Sequence, residues 1–536
     1  MKKYLTIAMA LVITFGLAVP AMALNISVSN NVNVFEAGSF EAVDGWYSGE
    51  INVGWNGNGN NSVDVSWSGN EGEVMVTPYT VENNKQRAGA LDINIKQTNE
   101  EQAVVFTLTK VNGQELNTTV VVPALYEGPI SFDVLRTANN PGYYFSGALI
   151  DMGVTLTAES VDKDTFFAKA RVTEHNGDVQ GSFGNFGWDP EKESYALGDG
   201  WAKWNIVDAY VTDADGNRVE KGNYVKFDIE WNTRTEPSGS NADRYDVPAT
   251  RAAWYTAGDT PWATFIAYAD IELDITQEKE IPGIAYATYV QGETKHDPLF
   301  DQFEISDAPG GGTYALYSPE NASEDNKRPI LIWFHGTGER YHGDNPGGNL
   351  IGNRALSFAD EEFQEALDGA YVLAPQSTTD GWSANRLDDM EELINRIVAE
   401  NNVDTDRIYV GGLSMGTAMT TPLITSTTEN KIDYAAAILT AAGNISASQA
   451  EIIADKDIPM YLVGNTSDGA ANNLPASYEN LVAAGVDAKL KMYPEGPVFD
   501  GEHYFGAHDS WNYIYNNLVE DENGETIFEW LANHSR

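Results

Sequence analysis

From Leu24 to about Ile275 the chain alternates apolar and polar residues with period two, the pattern of strands that bury one face and wet the other. Val63, Val65 and Trp67 form one such run, and Leu91, Ile93 and Ile95, then Val104, Phe106 and Leu108, form two more. Phe166, Ala168, Ala170 and Val172 continue it, as do Val225, Phe227, Ile229 and Trp231. Turn dipeptides such as Asn112-Gly113 and Asp215-Gly216 separate the runs, and helical spacing is scarce. Such a stretch predicts β-sandwich, and a Pro/Gly-bounded break from Pro123 to Pro129 divides it into one unit over 24–126 and another over 127–280. Trp46, Trp55 and Trp67 in the first unit are read as packing residues, with stacking on sugar rings as the alternative use of the same side chains. Asp213, Asp215 and Asn217 have the outline of a calcium loop, but Tyr224 stands where the glutamate is required, so they are read as a turn.

Beyond Glu278 the pattern changes. Pro329 to Phe334 is apolar on both faces, as a central parallel strand requires, and Tyr371 to Ala374, Ile408 to Val410, Ala435 to Leu439 and Met460 to Val463 repeat it. Between them Leu387, Met390, Ile394 and Ile397 fall on one helical face, and Ser477 to Ala484 also reads as helix. Strand, helix, strand in this order predicts an α/β segment over 286–536 with a mostly parallel, doubly wound sheet, whose ligands bind at the carboxyl ends of the strands.

Composition narrows the function classes. The 536 residues carry 32 Lys plus Arg against 79 Asp plus Glu, a formal charge of -47 that repels nucleic acid and anionic membrane surfaces. No cysteine is present, so disulfides, thiol chemistry and cysteine-based zinc sites are excluded. Met1-Lys2-Lys3, the apolar run Tyr4 to Val19 and the ending Pro20-Ala21-Met22-Ala23 have the order of a secretory signal peptide over 1–23, which predicts an exported bacterial protein. An uncleaved anchor is the alternative, and no later apolar stretch is long enough to span a bilayer.

The candidate chemistry lies in the last segment. Directly after the strand Ile408 to Val410 comes Gly411-Gly412-Leu413-Ser414-Met415-Gly416, then helix-compatible Thr417 to Thr420. This is G-x-S-x-G between a strand and a helix, where bare glycines let a strained turn present the Ser414 hydroxyl. A serine needs a base, and in hydrolases of this architecture the order serine, acid, histidine leaves three of the seven histidines: His503, His508 and His534. His534 reads as a tail residue and His503 as a loop residue, whereas His508 follows the small Gly506-Ala507 and precedes Trp511, which can pack its loop down. The acid is expected on the loop after the strand Met460 to Val463, where Gly464 to Gly469 offers Asp468; Asp500, Glu502 and Asp509 read as solvated loop charges. Oxyanion donors are expected from the Met415 amide and, in the loop His335-Gly336-Thr337-Gly338, from Thr337, with His335 bracing that loop.

His335 to Arg340, Asp344-Asn345, Ala374-Pro375-Gln376, Trp382, Asp404 to Tyr409, Gly412 to Gly416 and His508 to Trp511 together resemble the secreted esterases of the α/β-hydrolase superfamily, over about 320–534. The nearest group is that of the feruloyl-esterase-like, polyhydroxybutyrate-depolymerase-like and prolyl-oligopeptidase-like carboxylesterases. That resemblance implies a Ser414, Asp468, His508 triad in an esterase without metal or cofactor. Two positions depart from the family: Thr417 stands where a further glycine is frequent, and the Asp468 loop is one residue longer than the commoner spacing. The stretch 130–275, with Tyr210 to Asp213 and Gly222 to Val225, resembles the immunoglobulin-like N-terminal domain of some bacterial esterases. The resulting expectation is N-terminal Ig-like β-sandwich domains before an α/β-hydrolase domain, acting as a secreted serine esterase on carboxylic esters of feruloyl, acetyl or polyester type. The β units are expected to position the catalytic segment, cover its cleft, bind a polymer or mediate oligomerisation. A serine peptidase with the same triad and a non-catalytic cell-surface binding protein are the rival expectations.

Overall fold

A computed structural model describes residues 24–536 except 29–30, 44, 57–60, 70–72, 79–87, 99–100, 127, 140–141, 176–195, 199–200, 231–253, 257–263, 267–268, 286, 296 and 344. The expected signal peptide over 1–23, Trp231 and Asp344 lie outside the described residues.

Two antiparallel four-stranded sheets come first. Leu24–Val28, Asn61–Ser68, Gln102–Thr109 and Glu115–Val122 form one, and Val32–Val43, Trp46–Trp55, Ala88–Lys96 and Val74–Pro78 the other. Their alternating apolar positions meet in a single core: Val63, Val65, Val104, Phe106 and Leu108 face Ile51, Val53, Leu91, Ile93 and Ile95. The tryptophans take part in this packing. Trp55 is buried in the core, Trp67 lies against Phe106 with ring centroids 6.2 Å apart, and Trp46 carries the Lys96 ammonium 5.5 Å from its ring.

A second pair of sheets follows around Phe132, Val134, Phe145, Ile150, Trp204, Phe227 and Leu273. Its five-stranded member runs Ile206–Thr212, Lys221–Ile229, Tyr143–Thr157, Ile130–Ala138 and Tyr289–Lys295; its four-stranded member contains Phe166–His175 and Ala269–Gln277. Tyr289–Lys295 comes after residue 286 yet pairs in parallel with Ile130–Ala138. None of its residues is buried, so it has no apolar alternation to reveal it in the sequence. Asp213 folds its own turn, its Oδ1 accepting the Asp215 and Asn217 amides at 3.0 and 2.9 Å.

The remainder is built on one eight-stranded sheet. Its strands in chain order are β1 (Phe303–Asp307), β2 (Thr313–Tyr317), β3 (Arg328–Phe334), β4 (Tyr371–Gln376), β5 (Val403–Leu413), β6 (Ala436–Thr440), β7 (Met460–Asn465) and β8 (Ala488–Tyr493). They lie side by side as β1-β2-β4-β3-β5-β6-β7-β8, with β2 antiparallel to β1 and β4 and all later neighbours parallel. Every residue of β3, β4, β6 and β7 is buried, because helices and loops cover both faces. One of these helices, α1 (Leu387–Glu400), turns Met390, Leu393, Ile394 and Ile397 into the core. Parallel strands all end at the same edge, so the loops after β3, β5, β7 and β8 emerge together.

Candidate active site

Strand β5 runs directly into Ser414, which has φ of +50°, a left-handed conformation that costs a non-glycine residue about 1–3 kcal/mol. The surrounding glycines have no room for a side chain. A Cβ on Gly412 would stand 2.8 Å from the Gly416 carbonyl carbon, and one on Gly416 would stand 2.1 Å from the Phe334 carbonyl oxygen. The turn therefore passes hard against the end of β3. Helix α2 (Thr417–Ile424) follows at once, and the Thr417 hydroxyl donates to the Ser414 carbonyl at 2.8 Å. Thr417 thus ties the turn to the helix.

His508 reaches this turn from the loop after β8. Its Nε2 lies 2.9 Å from Ser414 Oγ and its Nδ1 lies 2.8 Å from Asp468 Oδ2. A carboxylate only accepts, so the proton sits on Nδ1 and Nε2 is left free to accept from the serine. Asp468 is itself fixed: it is buried, and its Oδ1 accepts the Ala470 amide at 2.9 Å. The long loop around it is tied down, since Asn465 Nδ2 donates to the Gly496 carbonyl and the Gly496 amide donates to Ser467 Oγ, at 3.1 and 3.0 Å. Trp511, buried, meets the His508 ring edge to face at 5.3 Å.

Burial pulls the His508 pKa down, but the hydrogen bond and charge of Asp468, joined by the charge of Asp509, outweigh it and raise the pKa above 6.5. Asp509 also accepts the Gly506 amide at 2.9 Å. Asp509→Asn keeps an acceptor for that amide and removes the charge, so the imidazole loses its proton at lower pH. The acid limb of a kcat/KM profile should move to lower pH with the plateau little changed; a shift to higher pH, or none, would contradict this.

His503 and His534, the other histidines considered for the base, make contacts within their own segments. The His503 amide donates to Asp500 Oδ1 at 2.7 Å, and His534 Nδ1 lies 2.6 Å from the Trp530 carbonyl oxygen. His335 is buried, its Nε2 accepting the Ser377 amide at 2.9 Å and its Nδ1 donating to the Gly336 carbonyl at 2.6 Å. Burial pushes its pKa down to about 3, so it stays neutral and braces the loop.

Residues Thr337–Glu339 form a single turn lying against Ser414–Gly416, which brings the Thr337 and Met415 amides to the serine's end of the sheet. Gly336 is not available as a donor, because Glu339 Oε2 takes its amide at 2.8 Å. Arg340 ties the same turn outward, its Nε donating to the Thr337 carbonyl and its Nη1 to the Thr379 carbonyl, both at 2.8 Å. Sequence reasoning gave Glu339 and Arg340 no task. The available signal was an acid and a base immediately after a glycine loop, which does not distinguish a surface pair from a buried brace. Burial pushes the Glu339 pKa up to about 8.

Among solved structures, a thermostable esterase aligns with 76% of this chain and 99% of its own, at 20% identity and a TM-score of 0.57. The likeness is one of fold. A feruloyl esterase module from Clostridium thermocellum aligns with 40% of this chain and 84% of its own (15% identity, TM-score 0.31). An esterase from Thermogutta terrifontis aligns with 40% of this chain and 89% of its own (15% identity, TM-score 0.30). No family model matches the chain, and no curated protein does. The chain carries an eight-stranded, mostly parallel sheet behind two pairs of β sheets, and among the described residues no helix is long and apolar enough to cross a membrane.

Proposed function

We propose that this protein is a serine esterase that hydrolyses carboxylic esters through an acyl-enzyme on Ser414. The observation that carries this reading is the His508 ring bridging Ser414 Oγ and Asp468 Oδ2 at 2.9 and 2.8 Å. Ser414 Oγ attacks the ester carbonyl carbon while His508 Nε2 takes its proton. Negative charge gathers on the carbonyl oxygen, which accepts hydrogen bonds from the Met415 and Thr337 amides. The tetrahedral adduct collapses, the imidazolium protonates the departing alcohol, and Asp468 stabilises the charged ring throughout. Water then enters, loses its proton to His508 and releases the acid, returning Ser414 to its hydroxyl form. Feruloyl, acetyl and polyester acids are the substrate classes we favour, on the resemblance of the motifs between 320 and 534. Residues 1–23 are the ground for placing the protein outside the cell.

The test compares turnover of p-nitrophenyl esters with that of peptide anilides, alongside labelling by a fluorophosphonate. Ester turnover with Ser414 labelled is the expected result. Anilide turnover exceeding ester turnover would reassign the protein as a peptidase, and absence of both labelling and turnover would reject catalysis.

A further inference from the structure

The turn that presents Thr337 is held by a buried acid that the reaction above does not use. Glu339 is fully buried (0% exposed), and its carboxyl takes three donors. Oε2 accepts the Gly336 amide at 2.8 Å and Asn353 Nδ2 at 2.5 Å, and Oε1 accepts the Asn353 amide at 3.0 Å. Its carbonyl accepts Gln376 Nε2 at 3.0 Å, so backbone and side chain are both fixed. One carboxyl therefore bridges two loops, the first leading to Thr337 and the second running through Gly352 and Asn353.

The second loop is pinned from its far side by the preceding sheets. The Gly352 carbonyl accepts the Gly142 amide at 2.9 Å, from the hairpin joining Ile130–Ala138 to Tyr143–Thr157. That hairpin is seated firmly. The Ala138 amide donates to Asp297 Oδ2 at 3.1 Å, and Tyr143 is buried in the core of the eight-stranded sheet, its ring 6.3 Å from that of Phe300. A strand of the same region, Thr264–Ile266, also runs alongside Thr337–Glu339. An unbroken path thus leads from the hairpin through Gly352, Asn353, Glu339 and Gly336 to Thr337.

Oxyanion donors work only when aimed within a few tenths of an ångström of the developing charge, and a misplacement of about 1 Å costs on the order of 10²-fold in rate. We propose that Glu339 is a positioning residue for ester hydrolysis, anchoring the turn that carries the Thr337 amide to a loop that the β hairpin holds in place. This rests on the reading of Ser414 as the nucleophile and of Thr337 as an oxyanion donor. In this role the β sheets ahead of the catalytic sheet form part of the active-site support.

Two substitutions in the full chain test it. Glu339→Gln keeps the shape but leaves one acceptor where two oxygens served the Gly336 and Asn353 amides. Gly352→Ala keeps the carboxyl chemically intact but displaces it, since a Cβ there would stand 2.6 Å from Glu339 Cγ, while its φ of -57° suits alanine. With kcat counted per fluorophosphonate-labelled serine, each should fall about 10–100-fold on p-nitrophenyl acetate while KM stays within about twofold. The acid limb set by His508 should not move. The double variant should be no worse than the poorer single one, because both break the same link. Wild-type kcat per labelled serine in Gly352→Ala, a change confined to KM, or multiplied effects in the double variant would overturn the proposal. If Glu339→Gln does not fold, Gly352→Ala decides alone. An inactive wild type, or turnover surviving Ser414→Ala, would instead sink the esterase reading itself.

Discussion

Ser414→Ala is expected to lower kcat on a p-nitrophenyl ester by roughly 10⁴ to 10⁶-fold and to abolish fluorophosphonate labelling, with the fold unchanged. The size follows from what is removed. Without Oγ no acyl-enzyme can form, so only the oxyanion amides and His508 acting on water remain. The fold should persist because the substitution asks little of it. Ser414 already bears a Cβ at φ of +50°, so alanine adds no new backbone clash. The hydroxyl's described partner is His508, on an edge loop whose other contacts, to Asp468 and Trp511, stay in place. A melting temperature close to wild type together with lost turnover is the required pair of results. Retained turnover would reject the nucleophile, and collapse of the fold would show that the hydroxyl is structural.

Residues that meet in this site lie far apart in the chain, yet their elements were legible for a definite physical reason. Strands buried on both faces are apolar along most of their length, so β3, β4 and β7 stand out as short continuous runs that only their end residues Arg328, Gln376 and Asn465 interrupt. Gly412 and Gly416 were legible because the turn brings carbonyl groups within 3 Å of where their side chains would be. Asp468 was separable from Asp500 and Asp509 only by its position after β7. In the structure the latter two accept amides of their own loop, from Glu502, His503 and Gly506. What the sequence concealed are contacts without periodicity. Tyr289–Lys295 sets one apolar side chain, Tyr289, against the core, too little to give an alternation, and it finds its place by pairing with Ile130–Ala138, some 160 residues earlier in the chain. The role of Glu339 has no signature, because its donors, Gly336 apart, come from Asn353, 14 residues on, through a loop with no pattern. The Gly142 to Gly352 bond joins two backbones, and backbone bonds between loops leave no trace in side-chain identity.

Asp468→Asn is expected to reduce kcat by about 10³ to 10⁴-fold, far more than Asp509→Asn, and the reason lies in which atom can face the imidazole. The Ala470 amide can only donate, and it holds Oδ1 at 2.9 Å. An asparagine that keeps this bond turns its amide oxygen toward Ala470 and its Nδ2 hydrogens toward His508 Nδ1. The ring must then accept at Nδ1 and carry its proton on Nε2, where it opposes the Ser414 hydroxyl instead of receiving its proton. The opposite orientation restores the bond to His508 but sets two donors against each other at Ala470, in a buried position where an unmet donor costs about 1–3 kcal/mol. Either orientation also removes the negative charge that raises the His508 pKa and stabilises the imidazolium formed during attack. Asp509→Asn touches neither the tautomer nor the bond to Nδ1. Steady-state kinetics of the two variants, measured on the plateau of their pH profiles, decides between them: a larger loss in Asp509→Asn would move the acid from position 468 to position 509.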